Sequence, residues 1–247
     1  MRRFVDLHLC PVMQDIRQIE EMVRKSSGLG YHIVGMPLSV DVKRDKILQL
    51  QKMCNDAKID FVTRTDLVPK TPHELLSNLR RYRRRFEVIS VTCVSKSVAR
   101  QAAKDRRVDL LSFPVIGPRR PFFDHAEAEL ASRALSSLEI DMSSLLRLRG
   151  IPRVHLLSSL RKEVAIANKF HVPIIISSGA TDPYLMRQPH DCASLTSLFN
   201  MNPSTALRAI SEHPITVIER NREKLSPNYV AQGIRVVRRT YKDCLSV

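Results

Sequence analysis

Asp6 and His8 are the first residues of the chain whose types and spacing suit metal chemistry. One residue separates them in an apolar segment, and alternate residues of a β-strand point to the same side. A carboxylate and an imidazole on one side could supply two ligands of a divalent metal. However, Cys10 is the next residue in this alternation, and the other histidines form no H-x-H or H-x-x-x-H pair. Two interpretations stay open: a metal site completed from other strands, and buried polar residues hydrogen-bonded to their neighbours.

Ser177, Ser178 and Gly179 follow an apolar, β-branched run and precede a long polar loop that carries Arg187. The two hydroxyls, the Gly179 amide and the arginine fork could together hold a phosphate group. Alternatively, Arg187 pairs with Asp191 in a capped loop, and the two arrangements can coexist. No G-x-S-x-G elbow surrounds the serines, and the chain has no G-x-G-x-x-G or P-loop sequence. The sequence therefore predicts neither a nucleophilic serine nor a nucleotide cofactor.

The densest run of charge lies at the end of a predicted helix. It consists of Arg80, Arg81, Arg83, Arg84 and Arg85. Cations at the carboxyl end of a helix are explained in part by the helix dipole. Five arginines exceed what capping requires, and like charges at this spacing repel one another. An RNA backbone would relieve that repulsion, so these arginines, with Arg119 and Arg120 at a predicted turn, are candidate RNA-binding residues.

The overall charge also favours a polyanionic partner. Lys and Arg number 40 against 25 Asp and Glu, which gives a net charge of +15 and a pI near 10.1. Aromatic residues make up only 5% and tryptophan is absent, so stacking of bases on an aromatic platform is not the predicted mode of recognition. Contact with the phosphates of a folded RNA fits better. A basic protein without any polyanion partner is the alternative.

The sequence predicts a cytoplasmic protein that makes no contact with a membrane. No segment is long and apolar enough to span a bilayer, and no apolar signal region follows the first residues. Five cysteines are scattered without a C-x-x-C pair, which is typical of reduced thiols and argues against a zinc ribbon or a disulfide framework.

The elements that must position these residues alternate along the chain. Apolar runs predict strands at residues 4–9, 32–36, 59–63, 86–93, 108–113, 138–141 and 172–178. Periodicity predicts helices near residues 14–26, 43–57, 96–104, 125–135, 154–170 and 192–201, the last with Asp191 near its N-cap. Two further helices are predicted to begin at Thr71-Pro72 and at Asn202-Pro203.

This alternation predicts parallel strands joined by right-handed crossovers. Seven or eight units favour a closed α/β barrel, similar to a TIM barrel, over an open doubly wound sheet. The predicted domain covers residues 1–225. Residues 226–247 form a basic tail, for which an added strand, a docking arm and partial disorder all stay open.

Several short sequences, taken in order, resemble one protein family. They are Phe4-Val5-Asp6-Leu7, Gly30-Tyr31-His32-Ile33-Val34, Asp109-Leu110-Leu111-Ser112, Phe123-Asp124-His125, Leu138-Glu139-Ile140-Asp141, and, after Ile174, the strings I-I-S-S-x-A, R-x-P-x-D and L-F-x-M. This order is similar to that of the thirty-kilodalton subunits of archaeal and eukaryotic ribonuclease P, also called protein component 3. The resemblance covers nearly the whole chain.

The resemblance implies a TIM-barrel-like fold related to the polymerase-and-histidinol-phosphatase barrels. It also implies a protein subunit of ribonuclease P, which removes the 5′ leader of precursor tRNA. In that family the RNA is the catalyst and uses its own Mg²⁺ ions, so the protein is expected to have no catalytic residue and no cofactor. Its expected partners are the ribonuclease P RNA, the component 2 subunit and the other subunits, with precursor tRNA as the substrate of the complex.

A rival function comes from another class. Asp6-Leu7-His8 resembles the opening of metal-dependent phosphoesterase barrels, in which an H-x-H pair on the first strand supplies ligands. A free-standing phosphoesterase is therefore the alternative, although the second histidine of that motif is missing here. The chain lacks the long lysine-rich extension of nuclear relatives, so the resemblance favours an archaeal, cytoplasmic form.

Overall fold

The computed structural model describes residues 2–115, 122–231 and 234–236. Within these ranges the strands are β1 (Val5–Asp6), β2 (Ile33–Pro37), β3 (Asp60–Leu67), β4 (Val88–Thr92), β5 (Leu110–Ser112), β6 (Ser137–Asp141), β7 (Ile174–Ser177), β8 (Tyr229–Ala231) and β9 (Ile234–Arg235). The helices there are α1 (Ile16–Gly28), α2 (Arg44–Asp56), α3 (Pro72–Tyr82), α4 (Lys96–Lys104), α5 (His125–Ala134), α6 (Met142–Arg147), α7 (Ile151–Lys169), α8 (Pro189–Leu195), α9 (Pro203–Ala209) and α10 (Glu212–Leu225).

Strands β1 to β7 form one parallel sheet in the order of the chain. Each strand pairs with the next, for example β3 with β4 through Arg64 and Val88. The two outer strands approach each other where Leu9 bridges to Ala180, and the Cys10 amide donates to the Ala180 carbonyl oxygen at 2.8 Å. The sheet is thereby nearly closed, and the predicted α/β barrel is confirmed.

Apolar side chains pack in two layers on opposite sides of the sheet. The larger layer lies between the strands and the surrounding helices and contains, for example, Val34, Ile89, Leu111 and Ile140. The smaller layer fills the inside of the barrel and consists of Val5, Leu7, Ile33, Val62, Val88, Leu110 and Ile175, together with Val217 and Ile218 from α10. Because alternate strand residues face opposite sides, the two layers divide neighbouring residues of each strand between them.

Helix α10 lies across the amino-terminal end of the barrel. Besides Val217 and Ile218, it contributes Arg222, which binds both carboxylate oxygens of Asp60 at the start of β3. Arg220 binds Asp109, which immediately precedes β5. The helix therefore closes the barrel interior at the end opposite to the carboxyl ends of the strands.

Side chains cap most of the helices that the sequence predicted. The Thr71 hydroxyl accepts a hydrogen bond from the Glu74 amide at the start of α3, and Pro72 occupies the first turn. Asp124 and Glu127 form a reciprocal capping box at α5. The Asn202 side chain caps α9, as the Asn202-Pro203 pair predicts.

The structure corrects the predicted helices in three places. Helix α8 begins at Pro189, three residues earlier than predicted, with Asp191 in its first turn, and a short 3-10 helix continues to Phe199. The helix predicted after Asn202-Pro203 divides into α9 and α10, and α6 was not predicted.

The described part of the tail forms an added hairpin, in which strand β8 pairs antiparallel with β9. The domain boundary at residue 225 stays a prediction; it coincides with the end of α10.

Among the described residues, none of the helices has the length and hydropathy needed to cross a lipid bilayer.

Candidate functional site

A polar layer lies above the apolar layer inside the barrel, towards the carboxyl ends of the strands. On β2 to β5 and on β7, the apolar inner position is followed two residues later by a polar or small one: Ile33 by Gly35, Val62 by Arg64, Val88 by Ser90, Leu110 by Ser112 and Ile175 by Ser177. Strand β6 adds Glu139 and Asp141 from the same side. In α/β barrels this end is where functional residues gather, so the layer is the first candidate site.

Arg64 is the centre of this layer and is completely buried. Its Nη1 and Nη2 atoms donate to the two carboxylate oxygens of Glu139, at 2.5 and 2.7 Å. Its Nε donates to Asp66 at 2.6 Å, and Nη1 also donates to the Leu7 carbonyl oxygen at 3.0 Å. A β-carbon at Gly35 would come within 2.7 Å of that same Leu7 oxygen, which explains why the smallest residue stands there.

Glu139 is equally enclosed, because four hydrogen bonds use its two oxygens. Besides the two from Arg64, the Ser177 hydroxyl donates at 2.7 Å and the Ser90 hydroxyl at 3.3 Å. Buried charges are tolerated when they are paired and fully hydrogen-bonded in this way. The sequence indicated none of this, since Arg64 and Glu139 stand on separate strands far apart in the chain.

His8 lies between two carboxylates at the outer edge of the layer. Its Nδ1 is 2.9 Å from Asp141 and its Nε2 is 3.0 Å from Asp66. Burial and the charge of Arg64 lower the pKa of His8, but the charge of Asp141 and the hydrogen bonds to Asp141 and Asp66 outweigh them, so this pKa is raised well above its usual value. Burial raises the pKa of Asp66, but Arg64 and His8 hold it well below its usual range. The imidazole is therefore a cation that bridges two anions.

Asp6 turns towards the closing edge of the barrel instead of joining His8. Its Oδ1 accepts hydrogen bonds from the Ser178 and His8 amides at 2.9 and 3.1 Å. Its Oδ2 is buried and has no hydrogen-bond partner within the described part of the chain. Asp6 thus holds β1 to the segment after β7, and the structure does not bring Asp6 and His8 together as a pair of ligands.

The residues present do not fit a divalent metal, although one group has suitable spacing. Ligand atoms of His8, Glu139 and Asp141 lie within 4.8 Å of one another. However, the guanidinium of Arg64 already binds both oxygens of Glu139 and stays charged at any physiological pH. A metal at this point would lie beside that cation and would compete with it for the oxygens of Glu139. The polar layer is organised by an arginine, and we derive no metal chemistry from it.

Ser177 and Ser178 are buried, with 1% and 5% of their surface exposed. The Ser177 hydroxyl donates to Glu139, and the Ser178 hydroxyl donates to the His8 carbonyl oxygen at 3.2 Å. Both hydroxyls therefore stabilise the barrel interior and its closing edge. Phosphate binding by these serines stays a prediction and would require these internal hydrogen bonds to be replaced.

Arg187 lies in the loop before α8. Its Nη1 donates to the carbonyl oxygens of Tyr184 and Met186, at 2.7 and 2.9 Å, and not to Asp191. The alternative of an ion pair with Asp191 is therefore wrong, and hydrogen bonds to the backbone fix the turn of the loop instead. Contact between Arg187 and an RNA phosphate stays a prediction.

The arginine run at the end of α3 divides into side chains with different surroundings. Arg80, Arg81, Arg84 and Arg85 are exposed, and Arg81 and Arg85 lie over the rings of Tyr82 and Phe86. Arg83 instead reaches inward to the buried Asp109, at 2.9 Å. The run is thus not one uniform basic face. Arg119 and Arg120 lie outside the described residues.

Comparison with known proteins places this barrel among ribonuclease P subunits. The model of the family "RNase P subunit p30" matches residues 3–226. Ribonuclease P protein component 3 of Methanococcoides burtonii is 28% identical over 235 residues, covering 95% of this chain and 94% of that protein. The corresponding protein of Methanosarcina barkeri is 28% identical over 219 residues, covering 88% and 90%.

Solved structures share the fold. A chain in the cryo-EM structure of archaeal ribonuclease P with mature tRNA superposes with a TM-score of 0.82 at 21% identity, covering 95% of this chain and 98% of that one. A putative prolidase from Bifidobacterium longum gives a TM-score of 0.57 at 12% identity, covering 90% and 70%. At these identities the likeness shows the barrel fold alone. The family match extends over nearly the whole barrel, and on that ground the chain belongs to the RNase P subunit p30 family.

Proposed function

We propose that this chain is a protein subunit of ribonuclease P, the ribonucleoprotein that removes the 5′ leader of precursor tRNA. The match of the family model over residues 3–226 carries this proposal. It is supported by relatives named ribonuclease P protein component 3 that align along almost their entire length. The net charge of +15 suits a protein whose partner is a large RNA.

Within the complex the protein supports the RNA and does not itself cut the substrate. The carboxyl end of the barrel, where related enzymes place their reacting groups, is filled here by the Arg64–Glu139 pair and by His8 between two carboxylates. Such a network leaves no unpaired nucleophile at its centre. The chemistry would fall to the RNA, which would bring its own Mg²⁺ ions.

The proposed partners follow from the family. They are the ribonuclease P RNA, the component 2 subunit and the other protein subunits, with precursor tRNA as the substrate of the assembled enzyme. Pairing with component 2 would fix the position of this chain on the RNA. The complex would work in the cytoplasm, next to the transcripts that it processes.

Reconstitution tests this proposal directly. Ribonuclease P RNA and the remaining protein subunits from the same source are assembled with and without this chain, and cleavage of 5′-labelled precursor tRNA is measured at limiting Mg²⁺. Omission of the chain should lower the cleavage rate at least tenfold, and adding it back should restore the rate. Equal cleavage with and without the chain would contradict the proposal.

A phosphoesterase is the second candidate, because His8, Glu139 and Asp141 have metal-ligand spacing. We expect the purified full-length chain to hold less than about 0.1 equivalent of Zn²⁺, Mn²⁺ or Fe, and to hydrolyse no phosphoester, because Arg64 occupies both oxygens of Glu139. Metal content is measured by mass spectrometry and hydrolysis with a chromogenic phosphodiester. Stoichiometric metal, together with hydrolysis abolished by His8→Ala, would establish the phosphoesterase instead.

A further inference from the structure

A basic groove lies near the amino-terminal end of the barrel, opposite to the polar layer. Its volume is about 550 Å³, within the range of small-ligand sites. Three separate parts of the chain form it: the turn after α3, the turn before β5, and the end of α10 with the start of β8. The side chains on which the argument rests are Arg83, Arg84, Arg106, Arg107, Lys224 and Tyr229.

The positive charge of this groove is only partly neutralised by the protein. Arg83 is paired with Asp109 at 2.9 Å, and Arg107 with Asp105 at 2.6 Å. Asp109 is shared further, because Arg220 binds its other oxygen at 2.8 Å.

Arg84, Arg106 and Lys224 are exposed and form no ion pair among the residues that the structure describes. Three cations from three parts of the chain therefore meet on one groove without a carboxylate of their own. Protein folding alone does not explain this arrangement, because neighbouring like charges repel and destabilise the folded state.

The electrostatic surroundings of Lys224 agree with that geometry. Neighbouring atoms displace part of the water around the Lys224 side chain and lower its pKa, and the charges of Arg220, Arg83 and Arg106 lower it further, against an opposing effect of Asp109. The ammonium group thus experiences a net positive environment. A phosphate in the groove would offset the repulsion among these cations, so their charges favour its binding there.

We propose that this groove binds the sugar-phosphate backbone of RNA, with Arg84, Arg106 and Lys224 each contacting a phosphate. The proposal rests on the function proposed above and names a surface for it. Three cations from separate parts of the chain suit successive phosphates better than a single anion, and arginine forks match phosphate oxygens. The half-buried ring of Tyr229 in the wall offers a face to a ribose or base.

A triple variant with a matched control tests the groove. The groove variant is Arg84→Gln, Arg106→Gln and Lys224→Gln in the full chain. The control is Arg17→Gln, Arg44→Gln and Lys52→Gln, which removes the same number of exposed arginines and lysines from α1 and α2. Affinity for the ribonuclease P RNA is measured from about 50 to 300 mM KCl, and the melting temperature of each variant is compared with that of the wild type.

The two variants should differ in the salt dependence of binding. Each lost phosphate contact lowers the slope of log affinity against log salt by about 0.7–0.9, so the groove variant should lose about 2–3. The control variant should lose less than about 1, and all three proteins should melt at the same temperature. Equal slopes for the two variants would overturn the proposal. If the triple variant melted lower, Lys224→Gln alone, at an exposed position, would be required to lower the slope by about 0.7–0.9.

Chemical protection gives a second readout at one atom. Lys224, with its lowered pKa, should be acetylated rapidly by N-hydroxysuccinimidyl acetate in the free protein and at least fivefold more slowly with the RNA bound, whereas Lys52 should react equally in both. Unchanged acetylation of Lys224 in an RNA-saturated sample would overturn the assignment.

The reconstitution experiment separates the two proposals. If omission of the whole chain leaves cleavage unaffected, the proposed function fails. If omission lowers cleavage but the groove variant behaves as the wild type does, only the groove assignment fails.

Discussion

At the scale of single residues, Arg64 shows how a barrel interior can carry charge. Removing an arginine from water costs several kcal/mol, and this cost is offset here by the bidentate pair with Glu139 and by contacts with Asp66 and the Leu7 carbonyl oxygen. The pairing is mutual, because Glu139 is just as deeply buried. Arg64 and Glu139 therefore stabilise the fold only as long as both are present.

Arg64→Met should destabilise the protein by about 3–5 kcal/mol, because it leaves the Glu139 carboxylate buried without its cation. Arg64→Met combined with Glu139→Gln should cost clearly less, since the uncompensated charge is then gone. Urea unfolding at neutral pH measures both. A single variant that loses less than about 1 kcal/mol would show that the pair does not stabilise the barrel.

His8 should make the folded protein less stable as the pH rises above neutrality. The pKa of His8 is raised in the folded protein, and the pKa of a histidine in an unfolded chain is about 6.5. Its ion pairs therefore contribute fully below about pH 6.5, and the contribution decreases as the pH rises through the folded pKa, by up to about 1.4 kcal/mol per unit. The free energy of unfolding, measured at several values between about pH 6 and pH 9, should fall for the wild type.

Two histidine variants make this pH test specific. His8→Gln should remove most of the decrease, while the same change at the exposed His73 should leave it intact. A wild-type curve and a His8→Gln curve of the same shape would rule out the charged imidazole.

At the scale of elements, α10 has two functions in the fold. Its apolar side, with Val217 and Ile218, covers the inner layer, while Arg220 and Arg222 attach it to carboxylates at or just before the starts of β5 and β3. The end of the same helix presents Lys224 to the basic groove. The helix that completes the core thus also positions a proposed RNA contact.

Ile218→Ala should destabilise the protein by about 2–5 kcal/mol, because Ile218 is 1% exposed and its loss leaves a cavity beneath the barrel. Glu219→Ala, on the exposed side of α10, should change stability by less than about 0.5 kcal/mol. Thermal and urea unfolding of both variants checks this. A similar loss for the two would mean that α10 does not cover the inner layer.

At the scale of the whole molecule, the excess of positive charge comes from two kinds of cationic side chain. Some cations, such as Arg222 with Asp60, are paired within the fold. Others, such as Arg80 and Arg81, are exposed and free of ion pairs among the described residues. Only the second kind can release counterions when RNA binds.

Arg80→Ala with Arg81→Ala should therefore flatten the salt dependence of RNA binding by about 1.4–1.8 in the log–log slope without lowering the melting temperature. Arg83→Ala should instead reduce stability by about 1–3 kcal/mol, because it removes a partner of the buried Asp109. Binding titrations and melting curves on the same preparations separate the two effects. An unchanged slope for the Arg80 and Arg81 variant would show that this end of α3 does not contact RNA.

The order and the type of the structural elements could be predicted from the amino-acid sequence. Alternating apolar runs and amphipathic segments predicted all the strands of the barrel sheet, and caps such as Thr71 and Asn202 predicted helix starts, because these signals depend on near neighbours in the chain. The start of α8, the short helix α6 and the division between α9 and α10 were missed, because α6, α8 and α10 begin without a side-chain cap.

The contacts between polar residues of the barrel follow only from the folded chain. Arg64 and Glu139 are 75 positions apart, and His8 and Asp141 are 133 apart. No local pattern links such pairs, because their contact follows from the registers of several strands around the barrel. The same holds for the groove: Arg84 was visible as part of an arginine run, but Arg106 and Lys224 join it only because the barrel brings the turn after α3, the turn before β5 and the end of α10 to one place.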